Sequence, residues 1–249
     1  MRLFITLLST SFIIGSGCVY NNYLDREIDK KMKRTKNRAS VTGLISLRAG
    51  MVYATCLGLS GFALLLLYIN KTTAVIGLIG IVDYVILYGY TKRKGPYGTL
   101  VGSISGATPP LAGYTAVTGH VDPAGLLLFL ILVFWQMPHF YSIAIFRLKD
   151  YAAAKLPVLP VVRGIYTTKL YISVYIGWFI IAMGLLYAYG YIGWPYALLL
   201  CAAGLWWLWV ALKGFKKGID DSAWARTVFF KSLTMLLIFC TVVSASALL

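Results

Sequence analysis

Charge is scarce in this sequence, and negative charge scarcer still. Charged residues make up 12% of the 249, with eight Asp and Glu against 23 Lys and Arg. With 59% hydrophobic residues and a mean hydropathy of +0.78, the composition excludes an ordinary soluble domain. Cysteine is also scarce. Cys18, Cys56, Cys201 and Cys240 all fall in apolar stretches and form no Cys-x-x-Cys pair, so they suggest neither a zinc site nor a disulfide framework, only small helix-packing residues. No Arg-rich, Ser-rich amphipathic leader precedes the first apolar run, so a mitochondrial transit peptide is not expected and a bacterial cytoplasmic (inner) membrane is the default.

What is abundant is uncharged sequence in runs of a membrane's width. Apolar spans read at about residues 3–20, 49–70, 72–90, 98–118, 123–146, 170–190, 192–212 and 232–249 predict an all-α polytopic membrane protein of about eight transmembrane helices in a single domain, 1–249. The 43 uncharged positions of 170–212 are too long for one span and divide at Gly190 to Pro195. Residues 21–48 hold eight Lys and Arg, 91–97 three, 147–169 five and 213–231 five, leaving only Arg2 and Lys71 for the other side. These are the alternate loops of an eight-span chain, so the +15 charge reads as bilayer orientation with these loops cytoplasmic, and not as nucleic-acid binding.

Where the first span ends, carboxylates appear. If its helix continues, Asn21, Asp25 and Asp29 recur at i, i+4 and i+8 on one face, and seven Lys and Arg follow or interleave by Arg38. An acidic face beside a cationic loop can hold a divalent cation and an anionic phosphate together, since Mg²⁺ is commonly bound by one or two carboxylates plus substrate phosphates. Solvated surface pairs such as Glu27 with Lys31 would explain the same residues more plainly.

Four further features invite a reading. Asp83 lies deep in an apolar run, where a carboxyl either serves a substrate or proton path or bonds a neighbouring helix. Gly98, Gly102 and Gly106 form a bare stripe ahead of Pro109-Pro110, suited to helix packing or to a wide, flat acceptor. His139 stands among Trp135, Phe140 and Tyr141, as either a helix-bonded imidazole or a haem-iron ligand, whereas His120 lies in a short loop with Asp122, where turn chemistry suffices. Asp220-Asp221 reads as solvated, and Trp206, Trp207 and Trp209 as an interfacial belt.

The spacing of Asn21, Asp25 and Asp29 resembles the first aspartate-rich motif of the UbiA-type intramembrane prenyltransferases. Met32 to Arg38, Lys92-Arg93, Tyr97-Gly98-Thr99, Gly106 to Pro110, Trp135 to His139, Asp150-Tyr151 and Leu156 to Pro160 resemble its haem O synthase branch. The resemblance spans essentially the whole chain and implies a helical bundle with a central cavity open to the cytoplasmic side. It implies transfer of a farnesyl group from farnesyl diphosphate to a vinyl group of protohaem IX, giving haem O for a downstream terminal oxidase. Haem B would be a substrate and Mg²⁺ the cofactor. Asp25 and Asp29 would hold metal with Asn21 orienting them, Asp150 would join the catalytic set, and Arg34, Arg38, Lys92 and Arg93 would take the diphosphate. His139, Trp135 and Tyr141 would receive haem. Two departures stand out: the second motif keeps only Asp150, and the family's leading helix of nine has no counterpart, because the chain opens in what would be the second. A quinone-directed prenyltransferase should share Asn21, Asp25 and Asp29 but lack the His139 segment. A secondary transporter, favoured by Asp83 alone, would need a midplane site between repeats.

Overall fold

The structure is a computed structural model that describes residues 1–247, all helices and connecting loops, with no strand among them. The chain divides into two compact units, Met1–Gly125 with Lys149–Pro157, and Leu126–Leu148 with Val158–Leu249.

In the first unit, α1 (Arg2–Leu24) runs into the short α2 (Arg26–Asp29), and α3 (Ala39–Thr42) stops at Gly43, whose φ of +82° is left-handed. The Ser46 hydroxyl accepts from the Ala49 N–H at 3.2 Å and caps α4 (Leu47–Tyr68) as the sequence predicts. Asn70 likewise caps α5 (Lys71–Val82), which passes through a π-helical segment, Asp83–Tyr88, into α6 (Gly89–Thr91). Helices in lipid gain little from apolar contact with one another, so small residues must bring backbones together. On α4 these are Gly50, Ala54, Gly58 and Gly61, all buried. A Cβ at Gly61 would lie 2.8 Å from the Ser9 carbonyl of α1, and Ser16 donates to the Ala54 carbonyl at 2.7 Å across the same seam. On α1 itself, Gly15 and Gly17 have ordinary or only slightly tight neighbours.

Helix α7 (Gly98–Thr118) carries Pro109 and Pro110 without ending there. Pro109 cannot donate to the Ser105 carbonyl, which instead accepts the Thr108 hydroxyl at 2.7 Å. Among the described residues, seven helical segments are long and apolar enough to cross a membrane; α7, the remaining one of the eight spans expected, is of similar length but lower in hydropathy because of its Gly, Ser, Thr and Pro content.

The second unit holds most of α8 (Pro123–Phe146), then α10 (Leu159–Ala188), α11 (Trp194–Leu212) and α12 (Asp221–Ser246), whereas α9 (Leu148–Ala153), in the loop between α8 and α10, falls almost wholly in the first unit. The expected loops 147–169 and 213–231 are therefore largely helical, and α10 is interrupted at Gly164. The expected division at Gly190 to Pro195 is observed, with Gly190 at φ +76°.

Several expectations are corrected in this unit. Trp207 is fully buried and donates to the Val228 carbonyl at 3.3 Å, so it belongs to the core, whereas Trp209 is exposed and stacks under Lys213. Asp221 is not simply solvated: it pairs with Lys169, which is buried and also donates to the Gly214 carbonyl at 2.6 Å. Asp220 caps α12, accepting from the Ser222 N–H at 2.8 Å. Cys18, Cys56 and Cys240 are exposed on helix surfaces and are not tucked between helices.

Candidate active site

The face predicted from the i, i+4, i+8 spacing exists. Although the backbone leaves helical geometry at Asp25 (φ −88°, ψ 1°), the Asp25 N–H still donates to the Asn21 carbonyl at 2.9 Å and the Asp29 N–H to the Asp25 carbonyl at 2.8 Å. The register is kept across the break. Asn21, Asp25 and Asp29 are all buried, at 8%, 9% and 4% exposure, so they are not the solvated surface pairs of the plainer reading. Buried carboxylates need charge partners, and each has one.

Lys92 Nζ donates to Asn21 Oδ1 at 2.7 Å and to Asp25 Oδ2 at 2.5 Å. Arg93 donates to Asp25 Oδ1 at 3.0 Å and to the Leu24 carbonyl at 2.7 Å, and Arg38 donates to Asp29 Oδ2 at 2.7 Å. Burial pushes the Lys92 ammonium below the ordinary lysine range, and the Asp25 carboxylate pulls it partway back. Thus three of the four cations expected to hold diphosphate sit on the carboxylates expected to hold metal. Arg34, the fourth, is exposed in the turn between α2 and α3.

The donor set suits magnesium. It offers two carboxylates and an amide oxygen, all hard ligands, and among the described residues no cluster of three or more His, Cys, Asp or Glu is placed to hold an ion without further ligands. One or two protein carboxylates completed by phosphate oxygens and water is the usual Mg²⁺ arrangement. Asp150 lies half-buried on α9 in the same unit, while the hydrogen bonds made by the Asp25 and Asp29 carboxylates go to Lys92, Arg93 and Arg38.

Sequence reasoning missed the residues that seat Lys92. A Cβ on Gly98 would lie 2.5 Å from the Lys92 Cα, and one on Gly102 would lie 2.7 Å from the Tyr88 ring, which supports the Lys92 ammonium 4.8 Å from its centroid. At these two positions the glycine stripe is filled by the chain itself. It serves helix packing and not a flat acceptor. Thr35 is likewise buried, donating to the Asp29 carbonyl at 3.1 Å. Gly98 opens α7 beyond the Lys94 to Tyr97 turn, and no local signal marks it as the Lys92 seat.

Asp83, at 1% exposure, accepts from the Ser105 N–H of α7 at 3.0 Å through Oδ2, so it bonds a neighbouring helix. Its Oδ1 is buried without a hydrogen-bond partner. The π-helical segment starts at this residue.

The second unit carries the aromatic candidates. Trp135 and His139, one turn apart on α8, stack with ring centroids 4.9 Å apart, and Phe229 of α12 lies 4.7 Å from the imidazole. Phe140 meets His139 edge-on at 5.2 Å. Tyr141 is placed elsewhere: it is fully buried beside Tyr171 and Tyr175 of α10. His120 accounts for itself as turn chemistry, with Nδ1 2.9 Å from the Thr118 carbonyl.

Comparison with known proteins gives this arrangement its context. A protein of Sodalis glossinidius named protoheme IX farnesyltransferase is 52% identical over 229 residues, 92% of this chain and 77% of that protein. Proteins of the same name from Pectobacterium atrosepticum and Yersinia pestis are 52% and 51% identical over the same coverage. Among solved structures, a digeranylgeranylglyceryl phosphate synthase superposes with a TM-score of 0.82 at 19% identity, covering 99% of this chain and 85% of its own. A UbiA homologue from Archaeoglobus fulgidus, bound to GPP and Mg²⁺, superposes with a TM-score of 0.70 at 16% identity, covering 98% of this chain and 88% of its own. These two structures establish the fold. Residues 1–234 match the UbiA prenyltransferase family, and with the relatives above this makes the chain a polytopic membrane protein that belongs to that family.

Proposed function

We propose that this chain transfers a farnesyl group from farnesyl diphosphate to a vinyl group of protohaem IX, yielding haem O for a terminal oxidase. The observation that carries the reading is the buried set of Asn21, Asp25 and Asp29 held at 2.5–3.0 Å by Lys92, Arg93 and Arg38. It supplies anionic oxygens for a metal and cations for a diphosphate in one place. The names of the relatives that share half of this sequence supply the acceptor.

Asp25 and Asp29 would hold Mg²⁺, with Asn21 fixing Asp25 through the shared Lys92 ammonium. When bound, magnesium neutralises the charge that grows on diphosphate as the allylic C–O bond breaks. Lys92, Arg93 and Arg38 then turn from carboxylate to diphosphate oxygens and stabilise the leaving group, and Arg34 can join them from its exposed position. The haem vinyl group adds to the farnesyl cation, a water adds to the carbon left electron-poor, and that water loses a proton. His139 and Trp135 would receive the porphyrin, His139 as axial ligand to its iron. Asp150, the one aspartate kept in the second motif, would assist at the diphosphate end. Tyr141 would act only by packing, given its burial.

The charge distribution supports an orientation with residues 21–48, 91–97, 147–169 and 213–231 facing the cytoplasm, and the bacterial relatives support an inner membrane. Cysteines introduced singly at the exposed Asn37 and Ser222, with the native cysteines replaced, should label from the same side; opposite sides would break this topology. The activity itself is tested by expression in a strain lacking haem O, followed by haem extraction and mass analysis. Haem B enlarged by one farnesyl group and one hydroxyl group is expected. Unaltered haem B alone would overturn the proposal.

A further inference from the structure

Ser232 lies in the middle of α12, fully buried, and its hydroxyl sits in a chain of two short hydrogen bonds. It donates to the Phe229 carbonyl at 2.6 Å, and His139 Nδ1 lies 2.8 Å from the same oxygen. A hydroxyl has one proton, and a carbonyl can only accept. With the Ser232 proton committed to Phe229, the contact with the imidazole requires that Nδ1 carry the hydrogen and donate it. In the neutral ring the lone pair is then on Nε2.

A second contact fixes the same residue. The Trp135 indole N–H donates to the Ser232 carbonyl at 2.8 Å, so two rings one turn apart on α8 grip one residue of α12, and Trp135 stacks on the imidazole it helps to place. Ring plane, rotation and tautomer of His139 are all set from the Nδ1 side. The buried serine is not needed merely to satisfy itself, because its hydroxyl could bond Phe229 without any histidine.

We infer that Ser232 is a positioning residue that locks His139 in the tautomer whose Nε2 is unprotonated and able to bind a metal. This rests on the proposed role of His139 at the haem iron. The arrangement is the outer-shell pattern in which a metal-binding histidine donates its other N–H to a fixed oxygen, which sets its tautomer and orientation.

The test begins without haem. In protein labelled with ¹⁵N-histidine and carrying His120→Gln, one imidazole remains, and its nitrogen spectrum reports which nitrogen bears the proton. A protonated Nδ1 with a bare Nε2 is expected; a protonated Nε2 with a bare Nδ1 in the protein with Ser232 intact would overturn the inference, with no variant at that site needed. Ser232→Ala should admit the other tautomer and lower haem B affinity by about 10- to 100-fold in a titration of the Soret band. Its affinity for farnesyl diphosphate should not change, as Asp25, Asp29 and the cations of the first unit hold that substrate. Ser232→Ala with both the tautomer and haem affinity unaltered would also overturn it. Failure of the underlying reading looks different: His139→Ala with an unchanged haem spectrum removes His139 from the iron even if the tautomer is as stated.

Discussion

The Asp25 site and the His139 site are built on opposite principles. The first is a knot of full charges at the end of α1, where every carboxylate is matched by a lysine or arginine at 2.5–3.0 Å. The second is a neutral ring stacked among aromatic side chains in mid-helix, held through one serine. A charged knot can change partners, since its lysine and arginine side chains are long and can reach another anion. A ring fixed by stacking and a directional hydrogen bond is set before any ligand arrives. The contrast predicts that damage to the first site shows as lost substrate charge neutralisation, and damage to the second as lost orientation.

The sharpest way to break the contrast is Asp25→Asn. It keeps shape but removes one charge that two cations share, leaving Lys92 and Arg93 with a weaker partner. Turnover should fall by about 10²- to 10³-fold or more, because a group that acts on developing charge is removed. Truncation to Ala should also destabilise the fold by about 3–5 kcal/mol, as buried charges lose their counterion. Prenyl transfer with magnesium titrated, and thermal unfolding, are the measurements. Near-normal turnover at limiting magnesium would remove Asp25 from the metal.

His139→Ala comes next. Haem B affinity should fall, and with it transfer, while farnesyl diphosphate affinity stays close to wild type. Titrations of the two ligands on one preparation decide between this and a merely structural histidine, for which both affinities and the unfolding temperature would fall together.

The two sites were not equally legible in the sequence. Asn21, Asp25 and Asp29 stand out because charge is so rare here and the helical period is simple, and the register survived a break in the helix. The partners of Asp25 lie some 70 positions away, and only the resemblance pointed to Lys92 and Arg93. Nothing local marks Gly98 as the residue that admits the Lys92 backbone, or Ser232 as the partner of His139, since both relations arise from packing between distant segments. Tyr141 shows the opposite failure: it is two residues from His139 in sequence, but two residues on a helix are about 200° apart, so it turned into the Tyr171 and Tyr175 cluster. Trp207 and Asp221 were misread for the same reason, as burial is a property of neighbours and not of the residue itself. The helices themselves were plain, α7 included, which has the bounds expected of it; only α10 and α12 begin well before their uncharged runs, because their first turns carry the charges of the preceding loops.

Gly98→Ala sharpens the comparison within the charged site. The added methyl would lie 2.5 Å from the Lys92 Cα, and backbone cannot rotate out of the way. The Lys92 loop must shift, at about 1–3 kcal/mol, the usual range for overpacking. Diphosphate affinity should decline more than haem affinity. Equal loss of both would mean that the glycine supports the fold in general and not the lysine.

The smallest effect is expected at Asp83, which belongs to neither site by contact. Its Oδ2 accepts the Ser105 N–H at 3.0 Å and its Oδ1 has no partner. Asn at this position keeps the shape and an oxygen for Ser105, and only the capacity to ionise is lost. If Asp83 is a bond between α7 and the π-helical segment, Asp83→Asn should leave unfolding within about 1 kcal/mol of wild type, the net worth of one neutral hydrogen bond, and leave turnover intact. Asp83→Leu, which removes the acceptor as well, should lower stability without altering the ratio of the two substrate affinities. If instead the carboxylate itself moves a proton or meets a substrate, Asp83→Asn should cut turnover at unchanged stability, and steady-state transfer measured beside thermal unfolding separates the two. That outcome would place a third functional group in the first unit and end the division into one charged and one neutral site.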